Sequence, residues 1–585
     1  MTRNLLAGAI VGATLLLCGC GGSDSSGDSS ASGNTPPAAP PTTSTTSAQD
    51  TIATATPIKH IVIIYQENNS FDHYFGTYPV AGNPTNPAEL PFFAAKNTPT
   101  DINNLLETGA GFNIKTSPLL TANPNSLNTQ NGTGATNPFR LDRTQVLTAD
   151  QSHGYKNEQS AFDALANPLA PAMDLFPKFT GKGVTLSTGS GPFFTTGLVM
   201  GYFDGNTVTA LWNYAQSFAM SDNFYGTTFG SSTQGAINLV SGQTNGVVTT
   251  ASTGAAMDDG TGTGTFTLMS DVFPTGDACS PTGTTGSMTS KNIGDLLNAA
   301  GVTWGWFQGG FDLTQTNPNG TTGCLRSSFS EVVGGYIPDY DAEHNPFQYY
   351  ASTRNPQHTR PSSVMAIGTN NDGGANHQYD TSDFFAAVTA GNFPSVSFLK
   401  APSWQSGHSS TSDPLSEQIF LVNTVNFLEQ QPDWKNTAVF ITYDDSDGWY
   451  DHMSHVINPS TSGDDALSGT GSCLTTVAGG ATTPLPGVSG LPANGRCGYG
   501  PRLPLIAISP FAKQNFVDHT VTDQTSLIHF IEDNWLDGQR IGQGSFDALS
   551  GPLTNLFNFS LNTPSLVLDP NSGALPGAQA ALEGN

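Results

Sequence analysis

Apolar, largely β-branched runs recur along the chain at 58–66 (IKHIVIIYQ), 302–307 (VTWGWF), 395–400 (SVSFLK), 437–443 (TAVFITY) and 503–508 (LPLIAI). Their apolarity is continuous rather than alternating, which predicts strands buried on both faces. Between them, stretches at 209–220, 293–300, 382–390, 415–430 and 523–536 read as helices, the last opening on Thr522-Asp523 as a cap. Strands alternating with helices predict an α/β fold, a mostly parallel central sheet with helices on both faces. The segments 243–290 and 456–500 are rich in Thr, Gly and Ser, without clear periodicity, and read as irregular surface insertions. The main domain is therefore expected over 57–545, with 546–585 as a C-terminal extension.

The first residues have a different pattern. Met1–Cys20 carries one positive charge, Arg3, then an apolar stretch from Leu5 to Leu17, then Leu17-Cys18-Gly19-Cys20. A run this short is a signal-peptide core rather than a span, which takes about 20 residues. The segment resembles a bacterial lipoprotein signal whose cleavage leaves Cys20 as an acylated first residue. That implies an exported protein, held in the outer membrane or periplasm by a lipid anchor, or secreted. From 21 to 56 the chain is Gly, Ser, Asp, Thr, Pro and Ala with few large apolar residues, and reads as a disordered tether.

Composition narrows the partners. The 19 Lys+Arg face 46 Asp+Glu, a formal net charge of −27, which argues against a nucleic-acid partner. Charged residues are only 11% of the chain, so this is not a charge-driven disordered protein. Beyond the signal, four cysteines remain: Cys279, Cys324, Cys473 and Cys497. In an exported chain they read as two disulfides, with three possible pairings. The local pairing, Cys279 with Cys324 and Cys473 with Cys497, is favoured because each pair brackets a Gly/Thr/Pro-rich excursion. A four-thiolate zinc site is the rival, and no C-x-x-C spacing supports it.

Polar chemistry is concentrated just past two of the apolar runs, where ligands gather in parallel sheets. One run ends in Gln66-Glu67-Asn68-Asn69-Ser70 and the other in Asp444-Asp445-Ser446-Asp447-Gly448. Carboxylates crowded at the tips of buried strands raise one another's pKa unless a cation neutralises them, and a divalent cation of unknown identity with oxygen ligands answers that need. Asp72, Asp447 and Asp451 read more simply as caps of following elements. An EF-hand is excluded because no Glu closes the loop that D-D-S-D-G would open. A third segment, Gly230-Ser231-Ser232-Thr233-Gln234-Gly235, precedes a helix predicted at 236–240, a place where free N–H groups favour an anion such as phosphate. It lacks the G-x-S-x-G spacing of a Ser-His-Asp hydrolase.

Taken together, IKHIVIIYQENNSFDHYFGTYP, FAMSDNFYGTTFGSSTQGAINLVSGQT and TAVFITYDDSDGWYDHM resemble the bacterial phosphoesterase family that contains phospholipases C and an acid phosphatase branch, within the alkaline-phosphatase-like superfamily. The resemblance runs over roughly 55–545. It implies a metal site of Glu67, Asn68, Ser232, Asp444 and Asp445, with Ser232 as nucleophile. It also implies phosphate-pocket histidines at His153, His344 and His408, with His377 a further candidate; His73, His452 and His455 read as structural. Phospholipase C members commonly carry Thr at the nucleophile position and the phosphatase branch Ser, so Ser232 points to the acid phosphatase branch.

The resemblance thus implies a metal-dependent phosphoric ester hydrolase that forms a covalent phosphoserine and acts on phosphomonoesters. An optimum below neutrality follows if a cationic imidazole of ordinary pKa, about 6.5, is required. The alternatives are a phospholipase C cleaving phospholipid head groups and, more remotely, a non-catalytic calcium-binding surface lipoprotein.

Overall fold

Every residue of β1 (His60–Gln66) is buried. Successive side chains of a strand point to opposite faces, so a strand buried along its whole length needs cover on both sides of its sheet. The computed structural model describes residues 49–576, except 86–88, 107–113, 166–169, 186–188, 251–253 and, within 459–482, all but Asp465, Leu467 and Cys473. The signal and lipid-anchor expectations at 1–20, and the tether as far as residue 48, lie outside the described residues. No described helix is long and apolar enough to cross a membrane.

The main sheet has eight strands: β1, β2 (Ala219–Ser221), β3 (Trp304–Gln308), β4 (Gln378–Asp380), β5 (Val396–Lys400), β6 (Thr437–Tyr443), β7 (Leu505–Ile508) and β8 (Phe516–Asp518). Their spatial order is β4-β3-β5-β1-β6-β7-β2-β8. Only β7 runs against the rest; it pairs antiparallel with β6 and β2, and every other neighbouring pair is parallel. The mixed α/β architecture with a large, mostly parallel sheet is therefore present. The segment expected to be helical over 209–220 divides into a helix, Thr209–Ser217, and then β2, since Phe218 turns extended and Ala219–Ser221 take up sheet pairing.

Four helices matter for the site: α1 (Phe71–Phe75), α2 (Tyr155–Phe162), α3 (Ser232–Ser241) and α4 (Pro414–Glu429). The last predicted helix spans Thr525–Trp535; Asp523 accepts the Thr525 N–H at 2.8 Å, two residues ahead of it.

Residues 243–290, expected to be irregular, instead carry a five-stranded sheet in the order Ala256–Asp258, Phe266–Leu268, Asn245–Thr249, Thr285–Met288 and Phe273–Pro274. Its alternation rests on a few residues, such as buried Val247 beside exposed Val248, and is lost among Thr and Gly in the sequence. Much of 456–500 lies outside the described residues. Both favoured disulfides, Cys279–Cys324 and Cys473–Cys497, are formed.

The edges of the domain differ from the composition-based reading. Gln49 donates to Asn392 Oδ1 at 2.7 Å, Thr56 Oγ1 to Asn534 Oδ1 at 2.8 Å, and Ile52 packs on the core, so residues 49–56 of the expected tether lie against the domain. Leu553, Leu556, Phe557 and Leu568 of the C-terminal extension are buried in the same core.

Asp72 and Asp451 do more than cap: Asp451 accepts the Met453 N–H at 2.9 Å and the Asp72 N–H, in the first turn of α1, at 3.4 Å, and both acids also meet a buried guanidinium. Ser70 caps α1, while Arg502, fully buried, donates through Nε to Asp451 Oδ1 at 2.9 Å and through Nη2 to Asp72 Oδ1 at 3.1 Å. His452 Nδ1 lies 2.7 Å from Asp72 Oδ2. Two buried acids are thus held by one guanidinium and an imidazole, which fastens the start of α1 to the loop after β6.

Candidate active site

Three adjacent parallel strands, β5, β1 and β6, end side by side, and their carboxyl ends carry the charge. Gln66, the last residue of β1, pairs with Tyr443, the last of β6, so Glu67-Asn68 and Asp444-Asp445 leave the sheet together. Lys400 closes β5 on the other side of β1 and sits over the Tyr65 ring. From a different element, Ser232 opens α3.

The Ser232 hydroxyl lies 3.1 Å from Asp445 Oδ2, 3.4 Å from Glu67 Oε2 and 3.4 Å from Asn68 Oδ1. Asp444 stands one layer behind: its Oδ1 accepts the N–H of Asn68 at 3.0 Å and of Asp445 at 2.8 Å. All five are buried. Glu67 Oε1 meets Lys400 Nζ in a close ion pair and His344 Nδ1 at 2.8 Å, and Lys400 Nζ is 3.6 Å from Asp444 Oδ2. Burial opposes the charge on Glu67, but His344 and Lys400 hold it well below the usual carboxylate range. Burial and the neighbouring Glu67 charge push Asp444 up to about 7, and burial with Asp444 raises Asp445 well above its ordinary value.

This donor set suits a hard divalent cation. Three carboxylates, an amide and a hydroxyl offer the oxygen donors that such an ion takes, while Lys400 and His344 occupy one oxygen of Glu67 and leave its other oxygen and Asp445 Oδ2 towards Ser232. As oriented, Asn68 Oδ1 faces only acceptors, Glu67 Oε2 and Asp444 Oδ1; either the amide turns over to donate to them, at 2.7 and 3.0 Å, or a cation stands among the oxygens. Asn68 takes a left-handed backbone, φ 59°, which an Asn tolerates better than most residues. Asp444 Oδ2 has no hydrogen-bond partner.

The histidines are arranged around this group in different ways. His344 spends Nδ1 on Glu67, and its Nε2 lies 3.6 Å from Glu343. Burial disfavours its charge, yet Glu67 and Asp341 push it up to about 10. His408 stacks 6.4 Å from His344, ring to ring, and is half-buried. His153 Nδ1 contacts Gln151 O at 2.9 Å and Asp447 Oδ1 at 3.0 Å, which leaves Nε2 as its other face. Burial opposes its charge too, but Asp445 and Asp447 raise it well above the ordinary value. Asp447, expected to be a cap, instead holds His153 and the Gln151 N–H from a left-handed backbone at φ 52°. His377 is elsewhere: it stacks on Trp304 at 4.4 Å and bonds the Trp304 carbonyl on the far flank of the sheet, a structural position. His73 stacks on Trp449 at 3.8 Å, and His455 lies 6.0 Å from each of Tyr225 and Tyr499, which stack on one another.

Asp150, Asp271, Asp341, Glu343, Lys400 and Glu158 also stand at the site, and the sequence reading did not single them out. Asp341, Glu343 and His344 bring ligand atoms within 4.8 Å of one another, as do Asp150, His153 and Asp447. Asp271 accepts the Thr233 N–H at 3.0 Å in the first turn of α3. Lys400 ends an apolar run in a lysine-poor chain, which is a signal in hindsight of its position; Glu158 has none.

The model of the Phosphoesterase family matches residues 58–536. Among curated relatives, a non-hemolytic phospholipase C of Burkholderia pseudomallei is 26% identical over 528 residues, covering 87% of this chain and 60% of that protein. Phospholipase C A of Mycobacterium tuberculosis is 25% identical over 551 residues, covering 89% of this chain and 82% of its own. The non-hemolytic phospholipase C of Pseudomonas aeruginosa is 31% identical over a shorter stretch, 30% of this chain and 24% of that protein. The chain thus spans less than two thirds of the length of two of these three relatives. Among solved structures, murine ectonucleotide pyrophosphatase/phosphodiesterase 5 aligns with a TM-score of 0.26 at 12% identity, over 60% of this chain and 95% of that one, a likeness too weak to bear on the fold.

Proposed function

The chain belongs to the phosphoesterase family, hydrolases acting on phosphoester bonds, and from that premise we propose that Ser232 is its nucleophile and phosphomonoesters are its substrates. The observation that carries this reading is the meeting of the Ser232 hydroxyl with Asp445, Glu67 and Asn68 at the start of a helix.

Glu67, Asn68, Ser232, Asp444 and Asp445 would hold a divalent cation. When bound, such a cation supplies a Lewis acid that favours the ionised hydroxyl and neutralises charge on the phosphoryl group. Ser232 Oγ forms a bond to phosphorus as the bond to the alcohol oxygen breaks, and the alcohol leaves with a proton. Water then attacks the phosphoserine, releasing phosphate and restoring the hydroxyl. His153 offers Nε2 to the phosphoryl oxygens or the leaving group, because Nδ1 is taken by Gln151 and Asp447. His408 stands at the half-buried rim for the same task. His344 orients Glu67 instead. Glu67 and Asp341 favour the charged form of His344, and Asp445 and Asp447 that of His153, which suits both imidazoles to a place beside an anionic phosphoryl group.

Serine at the nucleophile position supports the monoesterase reading. The names of the relatives favour a second, phospholipase C. The purified chain, with and without chelator, is assayed on p-nitrophenyl phosphate and on phosphatidylcholine beside Ser232→Ala. The expected outcome is faster turnover of the monoester, lost with chelator and in Ser232→Ala together with an acid-stable phosphoserine. Preference for phosphatidylcholine moves the assignment to phospholipase C, and undiminished turnover by Ser232→Ala removes the serine from the nucleophile role. Export and anchoring through Cys20 belong to the same proposal, and mass spectrometry of the mature N-terminus tests them.

A further inference from the structure

We propose that Glu158 is a positioning residue for phosphoryl transfer: its carboxylate fastens the segment that carries Ser232 to the segment that carries Asp445. The proposal rests on the reading of Ser232 as nucleophile.

Glu158 lies on α2 and is 1% exposed. Its two oxygens serve two different loops. Oε2 accepts the Gly230 N–H at 2.9 Å, two residues before Ser232. Oε1 accepts the Ser446 hydroxyl at 2.6 Å, one residue after Asp445, and Ser446 Oγ in turn accepts the Gly448 N–H at 3.0 Å. The helix that presents Glu158 begins two residues after His153. One carboxylate therefore ties together the three segments that supply the nucleophile, an acid of the cation site and an imidazole.

Two features show that this tie is specific. Gly230 has φ 125°, a conformation reserved to glycine, and an added Cβ would stand 2.4 Å from the Gln234 amide. Phe229 before it packs on Phe162 and the Ser231 hydroxyl after it donates to Gln234, but Gly230 itself has no side chain, so its N–H is the handle by which the turn between them is held. Among the described residues no Lys or Arg pairs with Glu158; its burial, a cost that packing alone would not select, is offset by the Ser446 and Gly230 hydrogen bonds and, at longer range, by the His153 imidazole. An apolar side chain would fill the space more cheaply; what it could not do is accept from both loops.

The chemistry of the replacements makes the test selective. In Glu158→Gln the amide oxygen still accepts from Gly230, and the amide N–H donates to Ser446 Oγ once that hydroxyl rotates, so the bridge survives. In Glu158→Ala both links are lost and the Gly230 N–H is left buried without an acceptor. Ser446→Ala removes one link with one oxygen atom.

The experiment measures kcat and KM for p-nitrophenyl phosphate at saturating divalent cation, the trapped phosphoserine and the thermal midpoint, for Glu158→Ala, Glu158→Gln, Ser446→Ala and Ser232→Ala in the full chain. A nucleophile displaced by about 1 Å loses on the order of 10²-fold in rate. Glu158→Ala is expected to lose kcat on that scale with KM within about threefold, Ser446→Ala to lose about tenfold, and Glu158→Gln to stay within about threefold of the parent. A parental kcat in Glu158→Ala, or equal losses in Glu158→Ala and Glu158→Gln, overturns the proposal. Should Glu158→Ala fail to fold, Ser446→Ala decides, and an unchanged kcat there overturns it. Ser232→Ala separates the two readings: turnover persisting in that variant sinks the serine mechanism itself, whereas an inert Ser232→Ala beside an unimpaired Glu158→Ala sinks only the role of Glu158.

Discussion

Ser232 Oγ and Asp445 Oδ2 stand 3.1 Å apart across 213 residues of chain. Main chain rather than flexible side chains sets that approach. Gly235, in the first turn of α3, rides directly on the Asp444 carbonyl, where an added Cβ would lie 1.9 Å from the oxygen. On the other side Gln524 Nε2 donates to the same carbonyl at 2.5 Å. The start of α3 is thus wedged against the loop after β6.

Gly235→Ala tests that wedge, with two effects of opposite sign. Alanine in place of glycine inside a helix gains about 1 kcal/mol of helix propensity. The clash is with backbone, which cannot move aside as a side chain can, so overpacking of about 1–3 kcal/mol or more outweighs the gain. The variant is expected to be less stable in denaturant titration and to lose turnover on the order of 10²-fold as Ser232 shifts. A variant more stable than the parent with unchanged kcat would show that α3 is free to slide.

Cation dependence follows from the crowding of Glu67, Asp444 and Asp445. In chelator, Asp445→Asn removes a buried carboxyl whose ionisation burial and Asp444 oppose, so it is expected to be as stable as the parent or more so. On adding a divalent cation the order reverses. At a concentration 100 times the dissociation constant the parent gains about 2.7 kcal/mol and the variant little of it. Unfolding curves of both proteins with and without cation check this, and equal gains by the two would place the cation elsewhere.

How much of this was legible in the sequence depended on how many residues carried each signal. β1 and β6 were readable because seven consecutive buried residues leave an unbroken apolar run. β2, β4 and β8, of three residues each, are too short to show any period. β7 was readable as a strand, but its reversed direction is set by which neighbours it finds, not by its own residues. The same holds for the site. Glu67-Asn68 and Asp444-Asp445 announce themselves as charge at the tips of apolar runs, whereas the Lys400–Glu67 pair exists only because β5 lies beside β1, an order no local pattern encodes. Asp72 and Asp451 read as caps for a related reason: Arg502, their partner, is at least 51 residues from either in sequence.

Arg502 supplies a stability prediction. Its guanidinium is fully buried, serves Asp451 and Asp72, and also donates to the carbonyls of Asn103 at 2.6 Å and Asp222 at 2.7 Å. Arg502→Met leaves two buried carboxyls and two carbonyls without their donor. Breaking a buried pair from one side costs about 3–5 kcal/mol, more than the methionine recovers by packing. Arg502→Lys is expected to recover only part, because an ammonium cannot reproduce the forked contact with Asp451, Nε to Oδ1 at 2.9 Å and Nη2 to Oδ2 at 3.0 Å. Chemical denaturation of the three proteins measures the order, and a methionine variant within about 1 kcal/mol of the parent would mean the acids are neutral in the folded chain.

Glu417 on α4 gives a pH dependence whose sign is fixed. It is buried between two phenols, accepting from Tyr443 at 2.6 Å and Tyr74 at 3.0 Å. Burial pushes it up to about 8, against the two phenol hydrogen bonds, which pull the other way. The unfolded chain releases this proton near pH 4.3. Between those values the folded state holds one more proton than the unfolded state, so the contribution is fully present below about pH 4 and is lost as pH rises through 8, with a slope of up to about 1.4 kcal/mol per unit. Glu417→Gln cannot ionise and keeps a carbonyl to accept from one tyrosine. Its unfolding free energy is expected to fall less steeply than that of the parent from pH 5 to pH 8, so that the variant gains on the parent with each step upward. Denaturant titrations at pH 5, 6, 7 and 8 follow the difference, and a constant gap across that range would mean that Glu417 is already ionised at pH 5 in the folded protein.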